Sequence, residues 1–455
     1  MSHNPEHFIP LIQKYNVQGP RYTSYPTVPH WSESIDATVF EDQLMSLNNA
    51  QKHALYVHIP FCEARCHYCA CNVVITKKKT EADRYLGYVF REIHKLREKV
   101  PNLALSQIHW GGGTPTYLTE AQIENLFSEI KKYFSVMSDA EISIEIDPRV
   151  TTASQLELLR ELGFNRVSLG VQDFNEQVQA AIHRNQTYAQ TQEIFDLCRS
   201  LDFLSINMDF VYGLPYQTQE SFQKNLELIL ELKPDRLAVY NYAHVPWMVP
   251  HQKWIPEPAL PDTISKINMN LAALKLFEEK AYHPIGMDHF ALSTDELVLA
   301  QKAGSLRRNF MGYTTQKEAP LLAIGVSAIG EFGNAYVQNL RKLAAYYEAI
   351  DHDRWPLQRG MVLTKNDLLR KEIIMTLLCQ LVVSIDLIQK KHEIDFFDYF
   401  HEEIATLSSF EKDGLLSLTK EHLHVLPLGR LFLRNMCMVF DDYLEKNQKR
   451  HSRTL

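Results

Sequence analysis

Short apolar runs alternate with amphipathic stretches over the first two thirds of the chain. The runs are ALYVHIP (54–60), SQIHWGGG (106–113), AEISIEIDP (140–148), RVSLGVQD (166–173), SINMDFVYGLP (205–215) and DRLAVYNYAHVP (235–246). Their length and their Gly and Pro boundaries read as strands. Between them, stretches such as ADRYLGYVFREIHKLREKV and TEAQIENLFSEIKKYF carry apolar side chains at three- and four-residue intervals. That is the period of a helix with one buried face. Thr119 followed by Gln122 fits a capping box at one helix start.

Strand followed by helix, six times over, predicts parallel pairing through right-handed crossovers. We expect an α/β fold: an open, partial (β/α)6 TIM-like barrel over residues 51–300, with a wide lateral mouth. A doubly wound flat sheet is the alternative that this rhythm leaves open. Residues 1–50 show no clear period and read as an N-terminal arm. Residues 301–363 are irregular and glycine-spaced, and read as a connecting segment that closes the barrel. Residues 364–455 read as a mostly helical C-terminal domain with a small hairpin at LLSLTKEHLHVL (415–426).

Composition narrows the class. The chain has 455 residues, 45% of them hydrophobic and 22% charged, as in ordinary globular proteins. Its net charge of −8 speaks against a nucleic-acid partner. No run approaches the length of a membrane span. Pro5, Pro10 and Pro20 interrupt a start that lacks an apolar signal core. Seven cysteines, four of them between Cys62 and Cys71, do not form a secreted disulfide framework. They fit a metal site in a reducing cytoplasm, and a monomer is expected.

The chemistry centres on PFCEARCHYCACN, directly after the first strand. Cys62, Cys66 and Cys69 are spaced C-x3-C-x2-C, and Cys71 follows. Each iron of a 4Fe–4S cubane takes a thiolate. Three cysteines on one loop hold three corners and leave one iron open. The amine and carboxylate of S-adenosyl-L-methionine can chelate that iron, beside a low-potential electron source. Four thiolates can also hold zinc, and a closed cluster using Cys71 would only carry electrons; both stand as alternatives. In the third strand, Ser143, Glu145 and Asp147 alternate with isoleucines and share one face. Polar groups facing into a barrel suggest a cavity, where Glu145 can accept hydrogen bonds from a cofactor.

The cysteine loop, with an aromatic before the third cysteine, resembles the radical S-adenosylmethionine superfamily. GPRYTSYPT (19–27), the CxC of Cys69 and Cys71, GGGTPT (111–116), EIDP (145–148), SLGVQDF (168–174), DFVYGLP (209–215), RNFMGYTT (308–315) and MVFDDYL (438–444) are similar to the oxygen-independent coproporphyrinogen III oxidase family. Tyr68 stands where that family often has Phe, and Ala70 where it often has Gly.

The resemblance implies decarboxylation of two propionates of coproporphyrinogen III by a 5′-deoxyadenosyl radical, giving protoporphyrinogen IX. It implies a low-potential electron donor and an electron acceptor, neither identified. Tyr56, Tyr68, Gly112, Gly113 and Thr114 would border the first S-adenosyl-L-methionine. Gln172, Arg184, Asp209, Ala243 and Ile329 would contact a second, with Arg184 expected on the helix after the fourth strand. Arg21, Arg307 and Arg308 are candidate partners for the propionates. A haem-binding chaperone of the same superfamily is the alternative function. Such relatives typically lack the GPRYTSYPT arm and Cys71, which are both present here.

Overall fold

A computed structural model describes residues 9–33, 35–48, 50–100, 103–316, 319–444 and 451–454. Residues 1–8, 34 and 49 of the expected N-terminal arm lie outside the described residues. Six strands follow the six apolar runs: β1 (Lys52–Ile59), β2 (Ala104–Gly112), β3 (Ser135–Ile146), β4 (Arg166–Gln172), β5 (Ser205–Tyr212) and β6 (Arg236–Asn241). They pair in parallel in chain order. The intervening helices begin where their caps dictate. Thr119 and Gln122 exchange side-chain-to-backbone bonds of 3.3 and 3.0 Å, and the same reciprocal cap recurs at Thr152, Thr187 and Thr218.

The sheet runs past these six strands on both sides. Beyond β6 lies the hairpin β7 (Tyr282–Ile285) and β8 (His289–Leu292), antiparallel to it. Beyond β1 lie β9 (Leu321–Ile324), β10 (Ile329–Phe332), β11 (Ala335–Asn339) and β12 (Leu357–Val362). Of these, β9 pairs with β1 in parallel, and the other three add antiparallel. The order is β12-β11-β10-β9-β1-β2-β3-β4-β5-β6-β8-β7, and the two edge strands do not pair. The fold is therefore an open α/β barrel. The stretch read as irregular supplies four strands to it.

Register sets what faces inward. Glu145 stands beside Ser168, Ser168 beside Asn207, and Asn207 beside Arg236. Neighbours in parallel register share a face, so a polar layer crosses four strands. The alternate residues Ile144, Val167, Ile206 and Leu237 are fully or nearly fully buried in the main core. A second core joins the N-terminal arm to the C-terminal helices. There Ile12, Tyr15, Tyr22 and Tyr25 pack with Leu377, Phe400 and Phe440. The hairpin read at 415–426 is present as Leu416–Leu418 and His422–Val425, with Val382–Ser384 as a third strand.

Candidate active site

The C-terminal ends of the parallel strands open onto a cavity of about 650 Å³, a size suited to a cofactor and its substrate. The cysteine loop forms one wall. After β1, Phe61–Cys62 pairs with Val74–Ile75, which pins both ends of the loop. Gln252 Nε2 donates to the Tyr68 carbonyl at 3.0 Å, and His251 bonds the Cys69 carbonyl at 2.6 Å. The segment after β6 thus clasps the loop from outside.

Cys62, Cys66 and Cys69 all line the cavity, and all seven cysteines are free thiols. Cys62 Sγ lies 3.4 Å from Thr114 Oγ1. The Cys71 backbone N–H donates to Cys69 Sγ at 3.4 Å, while Cys71 itself is exposed. Among the described residues, no three His, Cys, Asp or Glu side chains converge as ligands of one ion. With Cys71, four soft donors line one cavity from a single loop, which fits a larger, polynuclear group.

Charge is arranged around those thiols. Asp147, at the end of the third strand, takes Arg149 Nη2 at 2.7 Å and Arg184 Nη1 at 3.2 Å. Burial opposes its negative charge, but the two guanidiniums outweigh it and hold the carboxyl below its usual range. Both guanidiniums also lie 3.7 Å from Cys66 Sγ. Two cations share one carboxylate, so a surplus of positive charge faces the thiols.

Arg184 corrects the expectation that put it on a helix. It lies in the loop between the helices Glu176–Ala181 and Tyr188–Ser200, and its side chain is only 7% exposed. Gln172 ends β4 at φ +75°, beside a register shift in the strand. A side chain at Gly170 would meet Arg184 Nη2 and Gln172 Nε2, each at 3.1 Å. The missing Cβ leaves room for both groups.

Gly112 and Gly113 also line the cavity, but neighbouring protein groups explain them. A Cβ on Gly112 would lie 2.5 Å from the His58 ring, and one on Gly113 would lie 2.7 Å from the Phe61 carbonyl. The GGG run lets β2 close on β1 and the cysteine loop. Glu145 accepts from Gly112 N at 3.2 Å and lies 3.4 Å from His109 Nε2. The surrounding walls desolvate its carboxylate, but these contacts hold it below the usual range. Asp209 accepts from Ser168 Oγ at 3.1 Å and Asn207 Nδ2 at 2.8 Å. Burial, and Glu145 after it, push its carboxyl up to about 6. Tyr68 and Ala243 complete the lining, and the Ala243 carbonyl accepts from Gln252 Nε2 at 3.2 Å.

Two expected residues do not line this cavity. Tyr56 bonds His58 Nδ1 at 3.0 Å, and His58 Nε2 donates to the Asn72 carbonyl at 3.1 Å. Ile329 packs near Trp31 and Tyr336. Of the arginines proposed for the substrate, Arg21 lines the cavity and donates to the Asn241 carbonyl at 3.2 Å. Arg307 and Arg308 instead form a small hairpin with Gly312–Thr314. Sequence reading missed His58, Arg149 and Tyr240. The polar positions within the strand runs VHIP and AVYN were the available signal for His58 and Tyr240.

Comparison with known proteins agrees with this geometry. Residues 56–229 match the Radical SAM superfamily, and residues 363–432 match the HemN C-terminal domain. The oxygen-independent coproporphyrinogen III oxidase of Escherichia coli K12 is 43% identical over 439 residues, 96% of each chain. The protein of that name from Helicobacter pylori 26695 is 41% identical over 98% of each chain. The solved structure of the Escherichia coli coproporphyrinogen III oxidase, a radical SAM enzyme, superposes with a TM-score of 0.91. That match has 42% identity and covers 93% of this chain and 98% of that one. The chain belongs to the oxygen-independent coproporphyrinogen III oxidase family of radical SAM enzymes.

Proposed function

We propose that the chain converts two propionates of coproporphyrinogen III to vinyls without dioxygen, giving protoporphyrinogen IX in haem biosynthesis. It is an oxidoreductase of the radical SAM class. The observation that carries this reading is the single cavity at the strand ends. It brings Cys62, Cys66 and Cys69 together with Glu145, Asp209 and the Arg149–Asp147–Arg184 group.

Cys62, Cys66 and Cys69 would hold a 4Fe–4S cluster. With S-adenosyl-L-methionine bound, the cluster supplies one-electron cleavage to a 5′-deoxyadenosyl radical. The protein groups do the rest. Arg184 and Arg149 offset the negative charge of thiolate ligands. Glu145 offers an acceptor to a cofactor amine or hydroxyl. Gln172, Arg184, Asp209 and the Ala243 backbone line the same cavity, which supports a second S-adenosyl-L-methionine. Each turnover removes one hydrogen atom from the propionate β-carbon, releases carbon dioxide and passes one electron to an acceptor. A low-potential donor would supply the electron for that cleavage. The free thiols suit a reducing cytoplasm, and no helix among the described residues is long and apolar enough to cross a membrane.

The test is an anaerobic assay of the reconstituted enzyme with coproporphyrinogen III, S-adenosyl-L-methionine and a reductant, read by product mass. The divinyl product is expected. Unchanged tetrapyrrole alongside tight haem binding would reverse the assignment.

A further inference from the structure

The main cavity does not end at the strand tips. A side chamber of about 280 Å³ shares Arg21, Asn241, Tyr242 and Ala243 with it. Its other walls come from the helix Thr263–Glu279 and from residues near the C-terminus. On a chain of net charge −8 this chamber is cationic. Arg21, Lys266, Arg434 and Arg453 line it, and Glu257 is the one carboxylate among its described lining residues.

Two of these cations already have structural work. Arg434 donates to the carbonyls of Gly19, Pro20, Arg453 and Thr454, and so ties the arm to the C-terminal residues. Arg453 Nη1 donates to the Asn16 carbonyl at 3.2 Å. The other two are left for something else. Among the described residues Arg21 makes one hydrogen bond, from Nη2 to the Asn241 carbonyl, and its guanidinium lies over the Tyr240 ring at 5.8 Å. Lys266 Nζ has no hydrogen-bond or ion-pair partner among the described residues. The nearby Asp262 is engaged as a helix cap, accepting from Ser265 N at 2.7 Å.

The Lys266 side chain is also given a path. A Cβ on Gly213 would lie 2.8 Å from Lys266 Cδ, so the glycine after β5 makes space for the lysine stem. Burial, then the charge of Arg453, lower the Lys266 ammonium below its usual range. Burial, then Arg21, pull the Arg434 guanidinium down to about 10. The cations lower one another, and Glu257 is the one carboxylate among the chamber's described lining residues to set against four of them. At the rim, Trp247 is exposed and offers a flat apolar face.

We infer that this chamber, through Lys266 and Arg21, binds propionate carboxylates of the tetrapyrrole that do not react. The inference rests on the function proposed above. The reacting propionate has to approach the cysteine loop, so a carboxylate held here keeps its carbon dioxide in that turnover. Lys266 is a positioning residue: it fixes which edge of the macrocycle turns toward the thiols.

Coproporphyrin III, the oxidised and unreactive form, is the probe. Its binding to the cluster-loaded enzyme is followed by fluorescence titration. Lys266→Met should weaken it about tenfold, the range of one charge-assisted hydrogen bond, and flatten its salt dependence. Lys266→Arg should restore most of the affinity. Protoporphyrin IX, which keeps only the unreacting propionates, should lose the same factor in Lys266→Met. S-adenosyl-L-methionine affinity and the cluster absorbance should not change. Unaltered coproporphyrin binding in Lys266→Met overturns the inference. So does a loss confined to S-adenosyl-L-methionine, which would assign the lysine to the cofactor carboxylate. A wild-type enzyme that binds neither porphyrin overturns the chamber's role, whereas the proposed function stands or falls separately on the turnover assay with coproporphyrinogen III.

Discussion

The two ends of the barrel carry charged networks of the same residue types, and they do opposite things. At the N-terminal ends of the strands, Arg166 pairs with Glu141 at 3.3 Å and Glu296 at 2.6 Å. Arg236 pairs with Asp295 at 2.9 Å and with Glu296 at 2.7 Å. Two cations face three carboxylates, and Asp295 and Glu141 are further bonded to Leu297 N and Gln107 Nε2. At the C-terminal ends, Arg149 and Arg184 share one carboxylate, and both reach Cys66 Sγ. The first network is ion-paired within itself, with one carboxylate in excess, and fastens strands to a helix. The second has positive charge to spare, aimed at thiols. The sign of the surplus, more than the presence of ion pairs, separates a site from a clamp.

Breaking each network should therefore give different losses. Arg184→Gln leaves Asp147 with one partner and cancels the positive surplus. Turnover should fall by at least about tenfold, since a charge-assisted bond to a buried group is lost. The cluster should still load, as judged by iron content and absorbance. Arg236→Met takes the cation from Asp295 and leaves Glu296 with Arg166 alone. It should cost about 3 kcal/mol of stability in denaturant titration, while S-adenosyl-L-methionine affinity holds. Equal damage to cofactor affinity from both variants would erase the distinction.

Asp209 sharpens the comparison by pH. Its carboxyl sits at about 6 in the folded chain, against an ordinary value of 3.8. The folded state holds a proton that the unfolded state has released. That contribution to stability is complete below about pH 4 and is lost as pH rises through about 6. Asp209→Asn is neutral throughout. It should unfold at a higher temperature than wild type at pH 8 and at nearly the same temperature at pH 4. A gain of equal size at both values would mean the effect is steric.

Much of this was legible in the chain. The six apolar runs became β1 to β6, and the Thr119 cap formed as its spacing implied, because both signals are local. The strands from Leu321 to Val362 were not legible. They are four to six residues long, interrupted by turns at Gly325 and Gly333, and held by pairing to β1 and to each other. The cysteine spacing pointed to its chemistry without a structure. The Arg184–Asp147 pair, 37 residues apart, has no local signature, and a helix assignment hid the arginine in a loop. Gly112 and Gly113 were expected to border the cofactor; both line the cavity, and His58 and Phe61 take up the space that side chains there would need.

The smallest predicted effect bears most directly on the central claim, that three cysteines hold the cluster and leave one iron for the cofactor. Cys71 is exposed, lines the same cavity and gives its backbone N–H to Cys69 Sγ; the proposal leaves its thiol out of the ligand set. The decisive measurement is iron content and electron paramagnetic resonance of Cys71→Ser after anaerobic reconstitution, with and without S-adenosyl-L-methionine. The account predicts roughly four irons per chain and a signal that still shifts when the cofactor is added, whereas Cys66→Ser binds no cluster. A Cys71→Ser protein that comes out empty of iron would contradict it.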